Sequence, residues 1–486
     1  MAWIGIDLGS TNTCSAIWDG KLRMVEITSG GATSLPSVVT IANGDALVGQ
    51  AAVEAGRQFP DFDFRNFKRK MGEKWHDDED TGFQTCRGED GMLAYRGPET
   101  FTYSPVELSA LVIAEIVRAA NLFLAPHDTV TGAVVGIPAT FTPDQIEATK
   151  AAARMAGIEN VATLEEPVAA ALANNIDAKK ARTSIVVDFG GGTLDVSILR
   201  SGGGLIKVIA KNGIGDLGGA DFDKRIADYA VNLFRTETKK DLQLRDAAMT
   251  RVLVEAELVK KRLTDVEETT FRVENIDRTA EGVSLHMIYK VDRRILNELT
   301  RDLQERVLAA IRAAIEDAKR NVSTFRQADI QDLLLVGGMT RVPAVREMVS
   351  EFFGKQPKRD ENPERVVAEG LAIKAAIIEG RKPDVSIADI TSHDIAIETT
   401  NNVPAIVIPR GSSFPMEKTL VLSNADDDQR EISVRLLYAT RPKAVDCHLL
   451  EARDIPVEPA PAETLRVKLT LAVDDEGHPS ILEIAA

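Results

Sequence analysis

Cysteine is scarce in this chain of 486 residues: Cys14, Cys86 and Cys447 lie far apart and form no CxxC pair. That excludes a disulfide framework and a thiolate zinc site. Cys14 sits in an apolar strand pattern and reads as a small core residue. Histidine is thin as well, with 6 residues that do not cluster. His76, followed by Asp77, Asp78, Glu79 and Asp80, can be drawn as a metal site, but a solvated acidic loop is the favoured reading. Basic charge is in deficit. The formal net charge is -16 and the pI about 5.1, which argues against nucleic-acid and membrane partners, since both want a basic surface. Long apolar runs are missing. The most apolar helical stretch, LSALVIAEIVRAANLFLA, carries Glu115 and Arg118 and is too short and too charged to span a bilayer. The opening MAWIGIDLGS has no basic stretch followed by an apolar core, so no signal peptide is expected and the reducing cytoplasm is the expected compartment. GxxxxGK[ST] does not occur, which excludes a P-loop, and no GxSxG or Ser/His/Asp set stands out.

What is present describes an ordinary globular protein of two to four domains, with 44% hydrophobic and 27% charged residues. Up to about residue 380, apolar strands alternate with amphipathic helices, which indicates α/β layers. GAVVGIPAT (132–140) is a strand candidate. PDQIEATKAAARMAGI (143–158) is a helix with Thr142 placed to cap it and Gly157 near its end. SIVVDF and DLLLVGG are continuous apolar runs, as expected of strands buried on both faces. RRILNELTRDLQERVLAAIRAAIEDAKR (293–320) is one long amphipathic helix or a close pair. Residues 381–389, in the charged stretch EGRKPDVSIAD with Pro383, read as a linker. From 390 to 486 the pattern is strand-like: Leu465, Val467, Leu469, Leu471 and Val473 alternate with smaller or more polar residues, the mark of a sheet with one buried face.

One stretch occurs twice. Ile4 to Ile17 reads IGIDLGSTNTCSAI and Ile185 to Ile198 reads IVVDFGGGTLDVSI, and the two align without a gap. A duplicated unit implies two related lobes, roughly 1–180 and 181–380, facing each other across a cleft. The chemistry of the repeat is consistent. Glycine has no Cβ, so backbone N–H groups in a glycine-rich turn can approach an anion closely. An acid at the strand end repels phosphate but holds a magnesium ion, which then bridges to phosphate. Asp7 with Gly9, Ser10 and Thr11, and Asp188 with Gly190, Gly191, Gly192 and Thr193, both meet this description. Two facing copies would grip a polyphosphate from both sides. Taken singly, either is only a glycine turn.

A third glycine site, LLLVGGMTRVPAVREMV (333–349), ends a buried strand at Gly337 and Gly338, where a flat ring could lie on backbone with the Arg341 guanidinium stacked on it. GIGDLG (213–218) matches the dinucleotide pattern GxGxxG. It is a lone match, and Asp216 would face the pyrophosphate.

These pieces in this order resemble the seventy-kilodalton heat-shock chaperones, of the bacterial DnaK type. The phosphate loops and the GGxTR turn are shared with the wider actin and sugar-kinase superfamily. The chaperone branch is carried by VVGIPATFTPDQ, LEEPVAAALA, LGGADFDKRI, FKRKMGEKW, NPERVVAEGLAIKAA and IAIETT, so the resemblance runs over nearly the whole chain. It implies an actin-like, two-lobed ATPase over 1–380 and a β-sandwich peptide binder over 390–486. It implies ATP or ADP with Mg2+, and optionally K+, as cofactors. Asp7 and Asp188 would hold the metal and, with Asp195, organise the attacking water. Asn12 belongs to the first phosphate loop, and Ser10, Thr11 and Thr193 would touch phosphates. Lys68 would contact the γ-phosphate, although without the resemblance it is one charge among Arg65, Arg69, Lys70 and Lys74 on a solvated face. Glu166, before Pro167, would sense the nucleotide. Gly218, Gly219, Glu257, Lys260, Lys261, Thr264, Gly337, Gly338, Met339, Arg341 and Glu364 would border the nucleoside. Thr400, Ala425 and Ile432 fall at the peptide cleft, where Ile432 is either the floor of a pocket or a plain core residue. Pro138 would be half of the interdomain switch. Implied partners are unfolded or extended polypeptides, a J-domain co-chaperone and a nucleotide-exchange factor.

Four departures bear on coupling. Ile146 stands where the family has a relaying arginine. Ser386 and Ala388 replace leucines of the linker. Ala162 and Glu165 replace polar or basic residues that help J-domains dock. No helical segment follows the β domain here, so a lidless member with fast, weak peptide exchange is expected. The leading reading is an ATP-driven chaperone with slow hydrolysis. An ATP-stabilised peptide-binding or co-chaperone module with little turnover is the second, and a small-molecule kinase on the same fold the third.

Overall fold

The computed structural model of the chain describes residues 2–28, 30–76, 84–174, 181–238, 246–278, 282–358, 363–382, 385–474 and 477–485. Asp77, Asp78, Glu79, Asp80 and Pro383 lie outside these residues, and so does the acidic loop beside His76. Two mixed sheets carry the framework of the first 380 residues, with three smaller sheets beside them. The first uses β1 (Ala2–Leu8), β2 (Asn12–Trp18), β3 (Leu22–Met24), β4 (Val130–Ile137) and β5 (Asn160–Glu165), in the spatial order β5–β4–β1–β2–β3. The second uses β6 (Arg182–Phe189), β7 (Leu194–Gly202), β8 (Leu205–Ile214) and β9 (Asp332–Val336), in the order β9–β6–β7–β8. In each sheet the repeated stretch is an antiparallel hairpin flanked by a parallel strand: β1 lies between β2 and β4, and β6 between β7 and β9.

Continuous apolar strands follow from having two cores to fill. Ile185, Val187 and Phe189 face one cluster, together with Phe222 of α2 (Gly219–Thr238), Val259 of α3 (Asp246–Arg262) and Ile311 of α4 (Arg301–Asn321). Val186, between them in sequence, faces another, built with Val168 of α1 (Glu166–Asn174) and Leu371 of α5 (Val366–Ile378). Helix α1 and helix α5 cross with backbones touching: a Cβ on Gly370 would lie 1.8 Å from the Ala169 carbonyl oxygen. Helix α5 also lies on β1, where a Cβ on Gly5 would meet the Ala372 nitrogen at 2.3 Å. The last helix of the second half of the chain thus returns to the first sheet.

The stretch from 293 to 320 is the close pair, Arg293–Leu299 and α4, separated at Thr300. The helix expected at 143–158 runs Pro143–Met155 and begins with a capping box of Thr142 and Gln145. GIGDLG does not form a phosphate turn. Strand β8 continues through Gly213 to Ile214, and Asp216 instead pairs with Arg306 at 2.9 Å.

Linker residues Ser386–Ile390 form a strand, β10. It extends the second sheet, pairing in parallel with β8 at residues 205–207, and Ser413–Phe414 of the β domain pairs with its outer side. The β domain packs a sheet of Ile395–Glu398, Pro404–Ile408, Glu431–Tyr438 and His448–Pro456 against one of Met416–Leu422, Val467–Val473 and Pro479–Ala485. Val467, Leu469, Leu471 and Val473 are all buried, as their alternation requires.

Candidate functional site

The turns of the two hairpins touch. A Cβ on Gly191 would lie 2.2 Å from Thr11 Oγ1, and one on Gly192 would lie 2.6 Å from Ser10 Oγ. Only glycine permits this approach. The start of α2 ties down the second loop: Gly219 N–H donates to the Gly190 carbonyl and Ala220 N–H to the Gly191 carbonyl, each at 3.0 Å. Among the described residues, the N–H groups of Ser10, Thr11, Gly191 and Gly192 donate to no protein acceptor. Free donors from two facing turns make an anion cradle.

Behind them opens a cleft of about 390 Å³, the size of a small-ligand site. Its inner end is lined by Asp7, Gly9, Ser10, Thr11, Asn12, Lys68, Glu166, Asp188, Gly190, Gly191, Gly192 and Thr193. Its outer end is lined by Gly219, by Glu257, Lys260, Lys261 and Thr264 on and after α3, and by Gly337, Gly338, Met339, Arg341 and Glu364. Helix α3 turns Val252, Ala256 and Val259 into the core, which leaves its charged side to the cleft. Lys260 Nζ is held by Asp223 Oδ2 and the Gly219 carbonyl, both at 2.9 Å. Lys261 pairs with Glu257 at 2.7 Å and Arg341 with Glu364 at 3.5 Å. Gly337 has φ 82°, and a Cβ there would meet the Phe189 carbonyl oxygen at 2.5 Å, so both its conformation and its space require glycine.

The inner end is rich in acid. Lys68, on the short turn Phe67–Lys70, reaches across to Glu166 at 2.6 Å, and both side chains are nearly buried. Burial first, and then Glu166, pushes the Asp7 carboxyl up to about 7. Asp188 is raised well above the usual carboxylate range, by burial first and then by Glu166, Asp195 and Asp7. Asp195, paired across its hairpin with Asp188, is fully buried; no well-formed hydrogen bond reaches its carboxylate oxygens, and the nearby Thr193 hydroxyl offsets its burial only in part. Burial, Glu166 and Glu165 push it up to about 8. Four acids around one lysine are short of positive charge. Among the described residues no group of three or more His, Cys, Asp or Glu forms a metal site. A hydrated Mg2+ held by Asp7 and Asp188 and shared with phosphate fits this donor set, because Mg2+ keeps waters and takes only one or two carboxylates.

Two expected residues do not line the cleft. Asp195 lies behind it. Gly218 acts in packing: a Cβ there would come 2.4 Å from the Gly192 nitrogen, so it lets α2 seat against the loop. Cys14, Asp265 and Pro363 line the cleft without having been anticipated. Cys14 was read as core, and it is 2% exposed, so one wall of the cavity is core. Asp265 and Pro363 follow and precede the anticipated Thr264 and Glu364, and adjacency was their only signal.

In the β domain, Thr400 lies in an exposed turn and Ala425 in an exposed bend whose N–H donates to Gln429 Oε1 at 2.8 Å. Ile432 is 7% exposed and packs in the core shared by the two sheets, a placement that suits either reading. Pro138 and Ile146 line a second cavity, of about 460 Å³, between the first sheet, the linker and the β domain.

A protein-family model described as Hsp70 protein matches residues 3–486.

Proposed function

Because the chain belongs to the Hsp70 family, we propose that it is an ATP-dependent chaperone. It binds ATP with Mg2+ in the 390 Å³ cleft, hydrolyses it slowly, and holds extended apolar segments of unfolded polypeptides on its β domain. J-domain and nucleotide-exchange partners belong to the same reading. The observation that carries it is the pair of touching glycine turns, each following an acid, closed by the buried Lys68–Glu166 pair.

The N–H groups of Ser10, Thr11, Gly191 and Gly192 hold phosphate oxygens. Lys68 supplies a desolvated positive charge where the transferred phosphoryl group gathers negative charge, and Glu166 fixes its position. Mg2+, held by Asp7 and Asp188, would neutralise charge on the phosphates. Asp188 and Thr193 orient the attacking water at the wall. Asp195, two residues behind Thr193, is a carboxyl held near neutral pKa and so suited to storing the released proton. The nucleoside lies between α3 and the Gly337–Arg341 turn, with Arg341 over its ring.

Single-turnover ATP hydrolysis, with and without an unfolded peptide, tests this on wild type and Lys68→Ala. Wild type should turn over slowly and be stimulated by peptide, and Lys68→Ala should do neither. Its stability must be checked in parallel, since losing one partner of a buried pair costs about 3–5 kcal/mol. Hydrolysis that ignores peptide would favour a binding module in which ATP is a structural ligand.

A further inference from the structure

Beside the nucleotide cleft, walled off from it by three side chains, lies a second and much smaller space. It is a chamber of about 40 Å³. Ser10, Lys68 and Thr193 line both the cleft and the chamber, so they form the partition between them. Thr140, Gln145 and Gly215 make the far wall. Arg69 covers one side. Its stem crosses the second glycine turn, where a Cβ on Gly192 would meet Arg69 Cγ at 2.7 Å, and its guanidinium pairs with Asp221 of α2 at 3.3 Å.

Thr140 gives the chamber its chemistry. Between β4 and the helix Pro143–Met155 the chain turns, and the Phe141 N–H donates to the Pro138 carbonyl at 3.2 Å. This turn carries Thr140 onto the end of β8. A Cβ on Gly213 would meet Thr140 Cγ2 at 2.8 Å and Asp195 Oδ1 at 3.2 Å, so the Thr140 methyl seats on the same backbone as the Asp195 carboxyl. A Cβ on Gly215 would have only Thr140 within 4 Å, with Oγ1 nearest at 3.6 Å, so the hydroxyl faces the open side. Thr140 Oγ1 is buried and has no hydrogen-bond partner among the described residues. A buried hydroxyl left in that state is costly, and water beside it removes the cost. The chamber has room for about two or three waters, at roughly 10–15 Å³ each. Gln145, whose Oε1 accepts from the Thr142 N–H at 2.9 Å, keeps its NH2 end as a second partner.

The attacking and leaving oxygens of phosphoryl transfer stand in line, so water attacks from the side opposite ADP. With the nucleoside at the outer end of the cleft and the phosphates at the turns, that side is the partition. We propose that the chamber belongs to the hydrolytic site: water held in it by Thr140 hydrogen-bonds the attacking water and fixes it in line, which makes Thr140 a positioning residue. The proposal rests on the ATP-binding reading above. In the step itself the water oxygen bonds to phosphorus while the bond to the bridging oxygen breaks and leaves its electron pair on ADP. The proton of the water passes to Asp195.

The test uses the full chain as wild type, Thr140→Val, Thr140→Ser and Gly215→Ala. ATP affinity, single-turnover hydrolysis and phosphate release are measured on each. Thr140→Val keeps the shape and removes the hydroxyl. It should bind ATP as wild type does and lower the single-turnover rate on the order of tenfold or more. Thr140→Ser should recover most of that rate, a rescue that a packing role would not give. Gly215→Ala sets a methyl in the chamber at ordinary contact distance, and should slow hydrolysis by roughly threefold or more by displacing water. Thr140→Val at the wild-type rate overturns the proposal, and so does Thr140→Ser as slow as Thr140→Val. Should Thr140→Val fail to fold, Gly215→Ala decides, and a wild-type rate there overturns it equally. Unchanged hydrolysis with slower release of phosphate would make the chamber a way out for product, and overturns it as well. Each of these failures leaves ATP binding and hydrolysis by wild type standing. Wild type that neither binds nor hydrolyses ATP overturns the proposed function beneath it.

Discussion

The two glycine hairpins share one frame and differ at one decisive place. Each pairs its quoted ends with each other, Ile4 with Ile17 and Ile185 with Ile198. Each sets an acid one residue before the strand end. Opposite Asp7 stands Cys14, and opposite Asp188 stands Asp195. Both partners are buried, yet their chemistry diverges. Burial, and then Asp7, pushes the Cys14 thiol up to about 12, so it keeps its proton at neutral pH. Asp195, pushed up to about 8, can hold or release one. On the proposed function, the duplicated frame would supply the grip on phosphate, and the residue that is not duplicated would supply the proton chemistry.

Replacing that residue breaks the comparison most directly. Asp195→Asn should slow single-turnover hydrolysis on the order of 10²-fold or more. Its melting temperature near neutral pH should change little, because a buried carboxyl that already holds its proton most of the time is replaced by a neutral amide of the same shape. A rate near wild type would remove Asp195 from the chemistry. Next in size is the contact between the turns. Gly191→Ala forces a Cβ to 2.2 Å from Thr11 Oγ1, whereas one on Gly190 meets nothing nearer than 4.0 Å. Without nucleotide, Gly191→Ala should cost about 1–3 kcal/mol of stability and Gly190→Ala next to nothing. Equal losses on chemical denaturation would mean that the turns do not touch.

Protonation sharpens the same contrast. Burial raises the Asp7 and Asp195 carboxyls from 3.8 to about 7 and about 8. Groups raised in this way add stability that is full below the unfolded value and lost as pH climbs through the folded one. Of the two, Asp7 is the proposed Mg2+ holder, and Mg2+ must displace its proton, so its affinity in the presence of ADP should rise as pH climbs to about 7 and level off above it, by up to about tenfold per unit on the rising part. Calorimetry in buffers of different ionisation enthalpy would count the protons, and a flat profile would contradict the assignment. Smallest of all, Cys14→Ala should leave hydrolysis near wild type and cost about 1 kcal/mol of stability. A large loss of rate would mean that the first hairpin does more than grip.

Much of this was legible in the sequence because the same residues are needed twice, and a repeat needs no partner to be seen. The cap at Thr142 and the alternation from Val467 to Val473 were legible for a similar reason, since both are local. Gly218 was misjudged because a glycine that admits a ligand and one that admits a neighbouring backbone look alike in sequence. GIGDLG already reads in sequence as a chance match, since Asp216 would face the pyrophosphate, and the length of β8 agrees with that. Lys211 gave no signal at all. Its carboxylate partners lie at 165 and 389, and only the fold brings them together.

The edge of the second sheet has a further consequence. Strand β8 would be an outer strand were it not covered piece by piece. Residues 205–207 pair with the linker, the Ile209 carbonyl accepts from Asn321 Nδ2 at 2.9 Å, and the Lys211 carbonyl accepts from Arg410 at 2.6 Å. Two of these three covers come from the linker and the β domain, and only Asn321 belongs to the second lobe itself. A bare outer strand is a template for foreign strands. The linker strand is therefore also an edge guard: while paired, it keeps another extended chain from adding to this sheet.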